Sequence, residues 1–374
     1  MRVGPDPAHC DVVVIGAGQA GLAAGHYLAQ SGLRFVILEA RESVGDNWRM
    51  RYDSLRLYTP ASDDALPGLA FPRLAGWFPT GRQMGDYLES YARHFDLPVE
   101  TGVRVDRLTA ARDGDGFIVT AGSRRYHAAQ VIVATGAFQR PFIPDFAVNL
   151  DARIRQLHSA HYHHSGQLAD GPVLVVGVSH SGADIAYELA ATRRTYLSGT
   201  SRGELPFSID SRRGQLAWHV IKFLGSQLVT LRTPIGRSMA TAVRHGAGQP
   251  LLRYRRRDLL KAGVVWHEAR TVGTRDGRPL LSDGQVLDVA NVVWCTGFRP
   301  DYSWIELPVL DREGWPRQER GVVRSVPGLY VLGIPFLTGF TSMLILGAGR
   351  EAAHVAKRVR ELAERPRLAT ALAG

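Results

Sequence analysis

The amino-acid sequence predicts an α/β fold in which one chain contains two similar strand–turn–helix units. The first unit reads VVVIGAGQAGLAAGHYLA at residues 12–29, and the second reads VLVVGVSHSGADIAYELA at residues 173–190. Each is an apolar run of strand length, then a glycine-containing turn, then a helical pattern, which is the arrangement of dinucleotide-binding units. With a length of 374 residues, too long for one ordinary core, the pattern predicts two Rossmann-like domains.

The first unit carries the fingerprint Gly16-x-Gly18-x-x-Gly21 between its strand and its helix. The next apolar strand, residues 35–38, is followed by Glu39, which lies 18 residues after Gly21. An acidic side chain at that distance hydrogen-bonds the adenosine ribose hydroxyls and repels a 2′-phosphate. The unit is therefore predicted to bind FAD or NAD rather than NADP. Its predicted contact residues are Gly16, Gly18, Gln19, Ala20, Gly21, Glu39, Ala40 and Arg41.

The second unit differs from the first at both ends of the predicted ligand. Serine replaces the middle glycine, so the turn reads Gly177-x-Ser179-x-x-Gly182, and no carboxylate follows the next strand. Hydroxyls and one guanidinium follow instead, and these groups donate hydrogen bonds to a phosphate monoester. NADPH is therefore predicted here, and the alternative is that the arginine is a plain surface residue. The predicted contact residues are Gly177, Ser179, His180, Ser181, Gly182, Ser198 and Arg202, with Thr200 and Ser201 beside them.

The serine in the second turn suggests a looser phosphate site. The middle glycine of the fingerprint lets the backbone approach the pyrophosphate, and a side chain there holds the phosphates off. A permanently bound cofactor needs that close approach, whereas a cofactor that leaves after each turnover does not. We therefore expect the hydroxyls of Ser179 and Ser181 to face the phosphates of an exchanging cofactor, with neutral drift as the alternative.

Two further segments resemble each other and indicate where the chain crosses between domains. Residues 131–136 and 292–297 are apolar strands that end in Thr-Gly, and each is followed by an Arg-Pro pair. Further cofactor contacts are predicted in and beside these segments, at Ala134, Thr135, Gly136, Cys295, Thr296, Gly297 and Phe298. Val105 and Gly333 are predicted contacts elsewhere in the chain.

The predicted division follows from these crossings. A first domain of residues 1–164 and 299–374 binds the first nucleotide, and residues 165–298 form an inserted domain for the second. The tail, a strand near residues 328–333 and a helix over 342–364, returns to complete the first site.

Composition narrows the possible partners. The chain has 45 Lys and Arg against 35 Asp and Glu, a net charge of +10. The densest basic run, residues 253–257, lacks the interleaved aromatics of nucleic-acid modules, so no nucleic-acid partner is predicted. Cys10 and Cys295 form no Cys-x-x-Cys pair, which argues against a dithiol redox centre and suits a reducing cytoplasm. The histidines His158, His161, His163 and His164 match no zinc spacing, so no metal is predicted.

No apolar stretch is long enough to span a bilayer, and the residues before the first strand lack the apolar core of a secretory signal. The nearest candidate, residues 216–231, is interrupted by His219, Lys222 and Gln227. It is predicted to be an amphipathic helix that packs on its own protein rather than on a membrane. A cytoplasmic location follows, and the sequence sets no oligomeric state.

Seven motifs across nearly the whole chain resemble one family. They are GAGQAG at 16–21, GDNWR at 45–49, YDSLRLYTP at 52–60, ATG at 134–136, HSAHY at 158–162, GVSHSG at 177–182 and CTGFRPD at 295–301. The chain resembles the class B flavoprotein monooxygenases, which include flavin-containing, Baeyer–Villiger and plant-auxin-type enzymes.

The resemblance implies FAD in the first unit and NADPH in the second. NADPH then reduces FAD, O₂ forms a C4a-(hydro)peroxyflavin, and one oxygen atom passes to a small hydrophobic substrate at a nitrogen, a sulfur or a carbonyl. The cofactor supplies this chemistry, and the protein orients the reactants and excludes water. N- or S-oxygenation, Baeyer–Villiger oxidation and oxidative decarboxylation all remain open.

The resemblance also points to site residues outside the two turns. Gly45, Asn47, Trp48 and Arg49 are predicted beside the flavin, where an indole covers a ring face and an amide hydrogen-bonds the cofactors. Tyr58 stands near the position where heteroatom-oxidising members have asparagine. Asn47, Trp48, Tyr58 and His158 are the catalytic candidates. The alternative function is a flavoprotein reductase that passes electrons to a protein or metal partner.

Overall fold

The computed structural model describes residues 8–72, 78–111, 115–246 and 248–372. Its strands, in chain order, are β1 Ala8–Ile15, β2 Phe35–Leu38, β3 Val99–Glu100, β4 Arg107–Ala110, β5 Phe117–Ala121, β6 Arg124–Val133, β7 Arg140–Pro141, β8 Arg155–His158, β9 Val173–Val176, β10 Thr195–Ser198, β11 Val265–His267, β12 Thr271–Arg275, β13 Arg278–Leu281, β14 Asn291–Trp294, β15 Phe298–Arg299 and β16 Leu329–Val331. Its helices are α1 Gln19–Ala29, α2 Asp46–Arg49, α3 Gly81–His94, α4 His180–Ala190, α5 Arg212–Leu228, α6 Pro234–Arg244, α7 Arg256–Lys261 and α8 Ile345–Leu372.

The first sheet holds the first unit. Its order is β3-β2-β1-β6-β5-β4, with β16 also paired to β6. β1 runs parallel to both β2 and β6, and α1 packs against α8. Val12, Val13 and Val14 are fully buried, which explains why β1 is a continuous apolar run rather than an alternating one.

The second sheet holds the second unit and is parallel throughout, in the order β11-β10-β9-β14-β8. The predicted α/β class with two Rossmann-like domains is confirmed. However, β8 lies before the predicted boundary at residue 164 and pairs with β14 of the second sheet. Leu150 and Ile154 likewise pack in the apolar cluster that contains Val292. The first predicted boundary therefore falls too late in the chain.

The two Arg-Pro segments meet between the sheets. β7 and β15 form an antiparallel ribbon in which Arg140 pairs with Arg299 and Pro141 pairs with Phe298. The chain leaves the first sheet through β7 and returns through β15. The inserted unit therefore begins near residue 142, because β8 and the apolar side chains of Ala147, Leu150 and Ile154 belong to the second sheet and its core.

The amphipathic helix predicted within residues 216–231 is present as α5, but the expected packing of its apolar side chains is wrong. Trp218 and Lys222 face inward, and both donate hydrogen bonds to the carboxylate of Asp63. The large apolar side chains of the helix point to solvent. No described helix is both long and apolar enough to cross a membrane.

Candidate cofactor and active site

The first turn is shaped by two close backbone approaches. Gly16 has φ +106°, and a Cβ there would lie 2.6 Å from the carbonyl oxygen of Ala134. A Cβ on Gly21 would lie 1.9 Å from the carbonyl oxygen of Gly16. Both positions therefore require glycine, because the strand β6, the turn and helix α1 pack backbone against backbone.

Gly18, the middle glycine of the first turn, is not required by backbone packing within the protein. The atom nearest to a Cβ on Gly18 would be Nδ2 of Asn47 at 3.8 Å, so space in front of this residue is open. No described side chain caps α1, whose first-turn N–H groups are left for an external acceptor. This open N-terminus has the shape and polarity of a pyrophosphate site, and it fits the diphosphate of FAD. Gly333 lies at the same place, where a Cβ would be 3.1 Å from Cβ of Ala20.

Glu39 is held at the end of β2 by two backbone hydrogen bonds. Its carboxylate accepts from the N–H of Ala17 at 2.8 Å and from the N–H of Arg41 at 2.9 Å. Each carboxylate oxygen keeps a lone pair for a further donor. The side chain is thus oriented at the mouth of the turn, as ribose binding requires.

The second turn repeats the packing of the first. Gly177 has φ +108°, and a Cβ there would lie 2.4 Å from the carbonyl oxygen of Cys295. A Cβ on Gly182 would again lie 1.9 Å from the carbonyl oxygen of the first glycine of its turn. Cys295 therefore has the structural place of Ala134, which explains why both Thr-Gly segments follow the same pattern. Burial raises the pKa of the Cys295 thiol, which keeps it protonated.

Ser179 does not leave its hydroxyl free for phosphates. The hydroxyl donates to the carbonyl of Gln249 at 3.3 Å and accepts from the N–H of Gln249 at 3.0 Å. His180 donates from Nε2 to the carbonyl of Pro250 at 3.1 Å. Residues 248–250 are thus fastened across the start of α4, and the expected contact between the Ser179 hydroxyl and phosphate is corrected. The Ser181 hydroxyl interacts with that of Tyr52.

Several of the residues predicted to bind the 2′-phosphate have other partners in the structure. Ser198 is buried, and its hydroxyl lies 2.6 Å from Oγ1 of Thr271, so the predicted role of Ser198 is corrected. Thr200 donates to the carbonyl of Glu268, and Ser201 donates to the carbonyl of Gly203. Arg202 is exposed beyond the carboxyl end of β10, and it remains the candidate cation.

Trp48 lies where the two units meet, and it packs against both apolar cores. Its indole Nε1 is buried and has no hydrogen-bond partner among the described residues. A buried indole N–H normally has a partner, so this donor fits a bound cofactor or substrate. Asn47 is exposed beside the open face of Gly18.

Arg49 and Gly45, which lie near Trp48 in the chain, make structural contacts within the protein. Arg49 forms ion pairs with Asp86 and Glu89 and donates to the carbonyl of Val44, so its guanidinium is committed to the protein. A Cβ on Gly45 would lie 2.2 Å from the carbonyl oxygen of Gly85, which makes this glycine a contact between α2 and α3. The predicted cofactor contact of the Arg49 guanidinium is corrected accordingly, and that of Gly45 stays a prediction.

Tyr58 belongs to a buried polar network that sequence reasoning missed. Tyr58 donates to Oδ2 of Asp184 at 2.6 Å, and Tyr52 donates to the same oxygen at 3.0 Å. The guanidinium of Arg253 lies 3.6 Å from that oxygen and 4.7 Å from the centre of the Tyr58 ring. Burial raises the pKa of Asp184 to about 6 although Arg253 opposes the shift. Tyr58 therefore joins its segment to α4, and the structure gives no support for its catalytic role.

Only one signal in the sequence pointed to this network. Asp184 is an acidic residue among the apolar positions of α4, where a buried carboxylate must be paired. Arg253 supplies the pairing and also donates to the carbonyls of Arg56 and Leu57. It lies in the basic run of residues 253–257, so this run is partly committed to the protein interior.

His158 is neutral, and both of its ring nitrogens form hydrogen bonds within the protein. Its Nε2 donates to the carbonyl of Gly297 at 3.0 Å, and its Nδ1 accepts from the N–H of Ala160 at 3.1 Å. Burial lowers its pKa to about 4. Its ring packs edge-on against Phe298, next to the β7–β15 ribbon. These contacts support a positioning role between the two units rather than acid–base chemistry.

The remaining predicted contacts lie in the Thr-Gly turns and their surroundings. Gly136 and Gly297 have φ +74° and +82°, and each ends its strand in the left-handed region that favours glycine. Thr135 accepts a hydrogen bond from Gln139, and Thr296 donates to the carbonyl of Phe142. Val105 packs partly buried against the first core. Across the described ranges, no three His, Cys, Asp or Glu side chains come together as a metal site.

Comparisons with known proteins agree with this geometry. The family model described as pyridine nucleotide-disulphide oxidoreductase matches residues 13–200. An uncharacterized CzcO-like oxidoreductase of Geobacillus kaustophilus is 39% identical over 347 residues, which cover 92% of this chain and 97% of that protein. The chain belongs to the pyridine nucleotide-disulphide oxidoreductase family.

Two further relatives refine the class. A solved flavin-containing monooxygenase from Stenotrophomonas maltophilia is 28% identical, with a TM-score of 0.75 and coverage of 95% of this chain and 99% of that one. A probable indole-3-pyruvate monooxygenase of Arabidopsis thaliana is 27% identical over 383 residues, which cover 92% of this chain and 86% of that protein. The predicted family and the enzyme class, a flavin monooxygenase, are confirmed, and the predicted cofactors FAD and NADPH agree with the comparisons.

Proposed function

We propose that the protein is an NADPH-dependent FAD monooxygenase that transfers one atom of O₂ to a small hydrophobic substrate. The observation that carries the proposal is that two turns with the same packing differ at their ribose ends. The first presents the oriented carboxylate of Glu39, and the second presents the exposed guanidinium of Arg202. This difference supports a ribose diol in the first site and a ribose phosphate in the second.

The chain's own residues fit FAD at the first turn. Gly16, Gly18 and Gly21 shape an open helix N-terminus for the diphosphate, and Glu39 receives the ribose hydroxyls. When bound, FAD supplies hydride acceptance from NADPH and the activation of O₂. Trp48 has a buried N–H donor at the place where the two apolar cores meet. The indole also excludes water from that place.

NADPH is assigned to the second turn, and its exchange is compatible with the fastened segment of residues 248–250. The N-terminus of α4 is not capped by any described side chain, so its N–H groups are available to the pyrophosphate. Arg202 lies at the carboxyl edge of the second sheet, which is where ligands of open α/β sheets bind.

The chemistry of the substrate is proposed more broadly than its identity. The S. maltophilia neighbour is named as a flavin-containing monooxygenase, and the plant relative is named for indole-3-pyruvate. A thioether, a tertiary amine, a cyclic ketone and an aryl 2-oxo acid therefore represent the substrate classes to test.

The test is isotopic. The purified FAD-bound protein is mixed with NADPH and each candidate substrate under ¹⁸O₂, and products are analysed by mass spectrometry. We expect NADPH-dependent O₂ uptake and one ¹⁸O atom in the product. NADPH oxidation that needs an added electron-acceptor protein, without O₂ uptake and without labelled product from any class, would identify a reductase instead.

A further inference from the structure

Helix α5 carries an apolar face that no described part of the protein covers. Five large apolar side chains recur at helical spacing, and a sixth lies in the first turn of α6. Their exposed fractions range from 44% to 79%: Leu216, Val220, Phe223, Leu224, Leu228 and Ile235. Soluble surfaces rarely carry so many large apolar side chains side by side, and such patches mark interaction sites.

The orientation of the helix is held from inside. The carboxylate of Asp63 accepts hydrogen bonds from both Trp218 and Lys222, which lie on the opposite face of α5. A lysine therefore points inward while leucine and phenylalanine point outward, which is the reverse of ordinary packing. The protein holds the apolar face in solvent by a specific, partly buried contact.

The charged side chains that this part of the chain itself contributes are of one sign. Residues 211–246, which we term the α5–α6 segment, contain six Lys and Arg and no Asp or Glu. Four of the arginines are exposed and stand at the two ends of the apolar row, and none forms an ion pair with a described carboxylate: Arg212, Arg213, Arg232 and Arg237. A second copy would bring the same positive charge against this face, so self-association is opposed.

We propose that the α5–α6 segment is a docking surface for an anionic lipid bilayer. An amphipathic helix with an apolar face and flanking basic residues lies in the interface of such a membrane, where side chains enter the acyl boundary and arginines meet lipid phosphates. The segment is also close to the tail of the first site. The N–H of Leu231 donates to the carbonyl of Thr338, and the N–H of Phe340 donates to the carbonyl of Val229, just before α8.

The proposal is independent of the monooxygenase chemistry and is tested without turnover. The FAD-bound protein is sedimented with vesicles of phosphatidylcholine alone and of phosphatidylcholine with phosphatidylglycerol. We expect binding to the anionic vesicles, weakened by salt. The double variant F223S/L224S should lose most of this binding while retaining bound flavin. The matched control L260S/V272S removes two apolar side chains of similar exposure elsewhere and should bind like the wild type.

A second pair of variants tests how much the arginines contribute to binding of anionic vesicles. R212Q/R213Q should weaken binding to anionic vesicles by roughly fivefold for each arginine removed, because a basic residue near an anionic surface contributes at that level. R104Q/R125Q removes two exposed arginines of the first domain and should have little effect.

Three results would overturn the proposal. One is the absence of binding to anionic vesicles, and another is binding that F223S/L224S leaves unchanged. The third is equal binding to phosphatidylcholine alone, which removes the anionic partner. Sedimentation velocity without lipid is the last check, because a dimer that F223S/L224S abolishes, without vesicle binding, would assign the face to a second copy.

Discussion

The hydroxyl of Ser179 and the backbone of Gln249 form a reciprocal pair of hydrogen bonds, although 70 residues separate them in the chain. The serine that departs from the glycine fingerprint is thus the anchor of residues 248–250. Its presence is explained by that segment and not by a direct phosphate contact.

This relationship contradicts the expectation that Ser179 loosens the phosphate site. S179A should raise the dissociation constant of NADP⁺ by about fivefold. Without this pair of hydrogen bonds, residues 248–250 must be ordered when NADP⁺ binds, and this costs about 1 kcal/mol of binding free energy. NADP⁺ titration by flavin or tryptophan fluorescence measures the constant. S198A, which removes a buried hydroxyl at the end of β10, should lower stability and leave affinity unchanged. An unchanged or tighter constant for S179A would restore the loosened-site hypothesis.

Glu39 should control retention of FAD. E39A removes a charged acceptor worth about 1.5–3 kcal/mol, so the FAD dissociation constant should rise by roughly ten- to a hundredfold. E39Q keeps one acceptor oxygen and should lie between E39A and the wild type. E42Q, three residues away and exposed, is the matched control. The absorbance ratio of flavin to protein after gel filtration measures retention, and a wild-type value for E39A would contradict the assigned ribose contact.

Arg202 should discriminate between the two nicotinamide cofactors. R202A should raise the KM for NADPH by roughly one to two orders of magnitude and hardly change the KM for NADH, because only NADPH carries the 2′-phosphate. R194A is the control, since Arg194 lies just before β10, at the opposite end of that strand from Arg202. Steady-state NADPH and NADH oxidation gives both constants. Equal changes for the two cofactors would place Arg202 outside the phosphate site.

His158 should make the protein sensitive to acid. Burial lowers its pKa to about 4, so His158 stays neutral in the folded protein at pH values where it is already protonated in the unfolded chain, whose histidine pKa is about 6.5. Stability is therefore complete above pH 6.5 and is lost as the pH falls toward 4, by up to about 3 kcal/mol for this group. H158Q should show a correspondingly shallower loss in denaturant unfolding between these pH values, while H161Q, at an exposed position, should not.

The same variant separates positioning from catalysis at His158. If the residue only joins the two units, H158Q lowers kcat/KM without changing the shape of its pH profile. Disappearance of a limb of that profile would show that His158 transfers a proton and would contradict the structural interpretation.

The two turns could be predicted from the sequence because their requirements are local. Gly16 and Gly21 contact each other across five residues, and Gly177 and Gly182 repeat the contact. Close backbone approach excludes every other residue type, so the spacing of the glycines reports the geometry directly. The position of the Glu39 carboxylate follows from the same strand–helix–strand unit, because its two backbone partners lie just after the adjacent strands β1 and β2.

The partners of polar side chains were decided by the tertiary structure alone. Tyr58 meets Asp184 across 126 residues, and Trp218 meets Asp63 across 155 residues. A hydroxyl, an indole or a guanidinium can satisfy its hydrogen bonds in many ways, so its residue type does not name its partner.

The sequence by itself therefore determined the α/β class, the two nucleotide turns and the flavoprotein family. The tertiary structure decided that Ser179 holds a segment, that Arg49 and Ser198 are committed to the protein, and that α5 turns its apolar face outward. The physical reason is that backbone sterics act within a few residues. The pairing of buried polar groups depends instead on which distant elements the folded chain brings together.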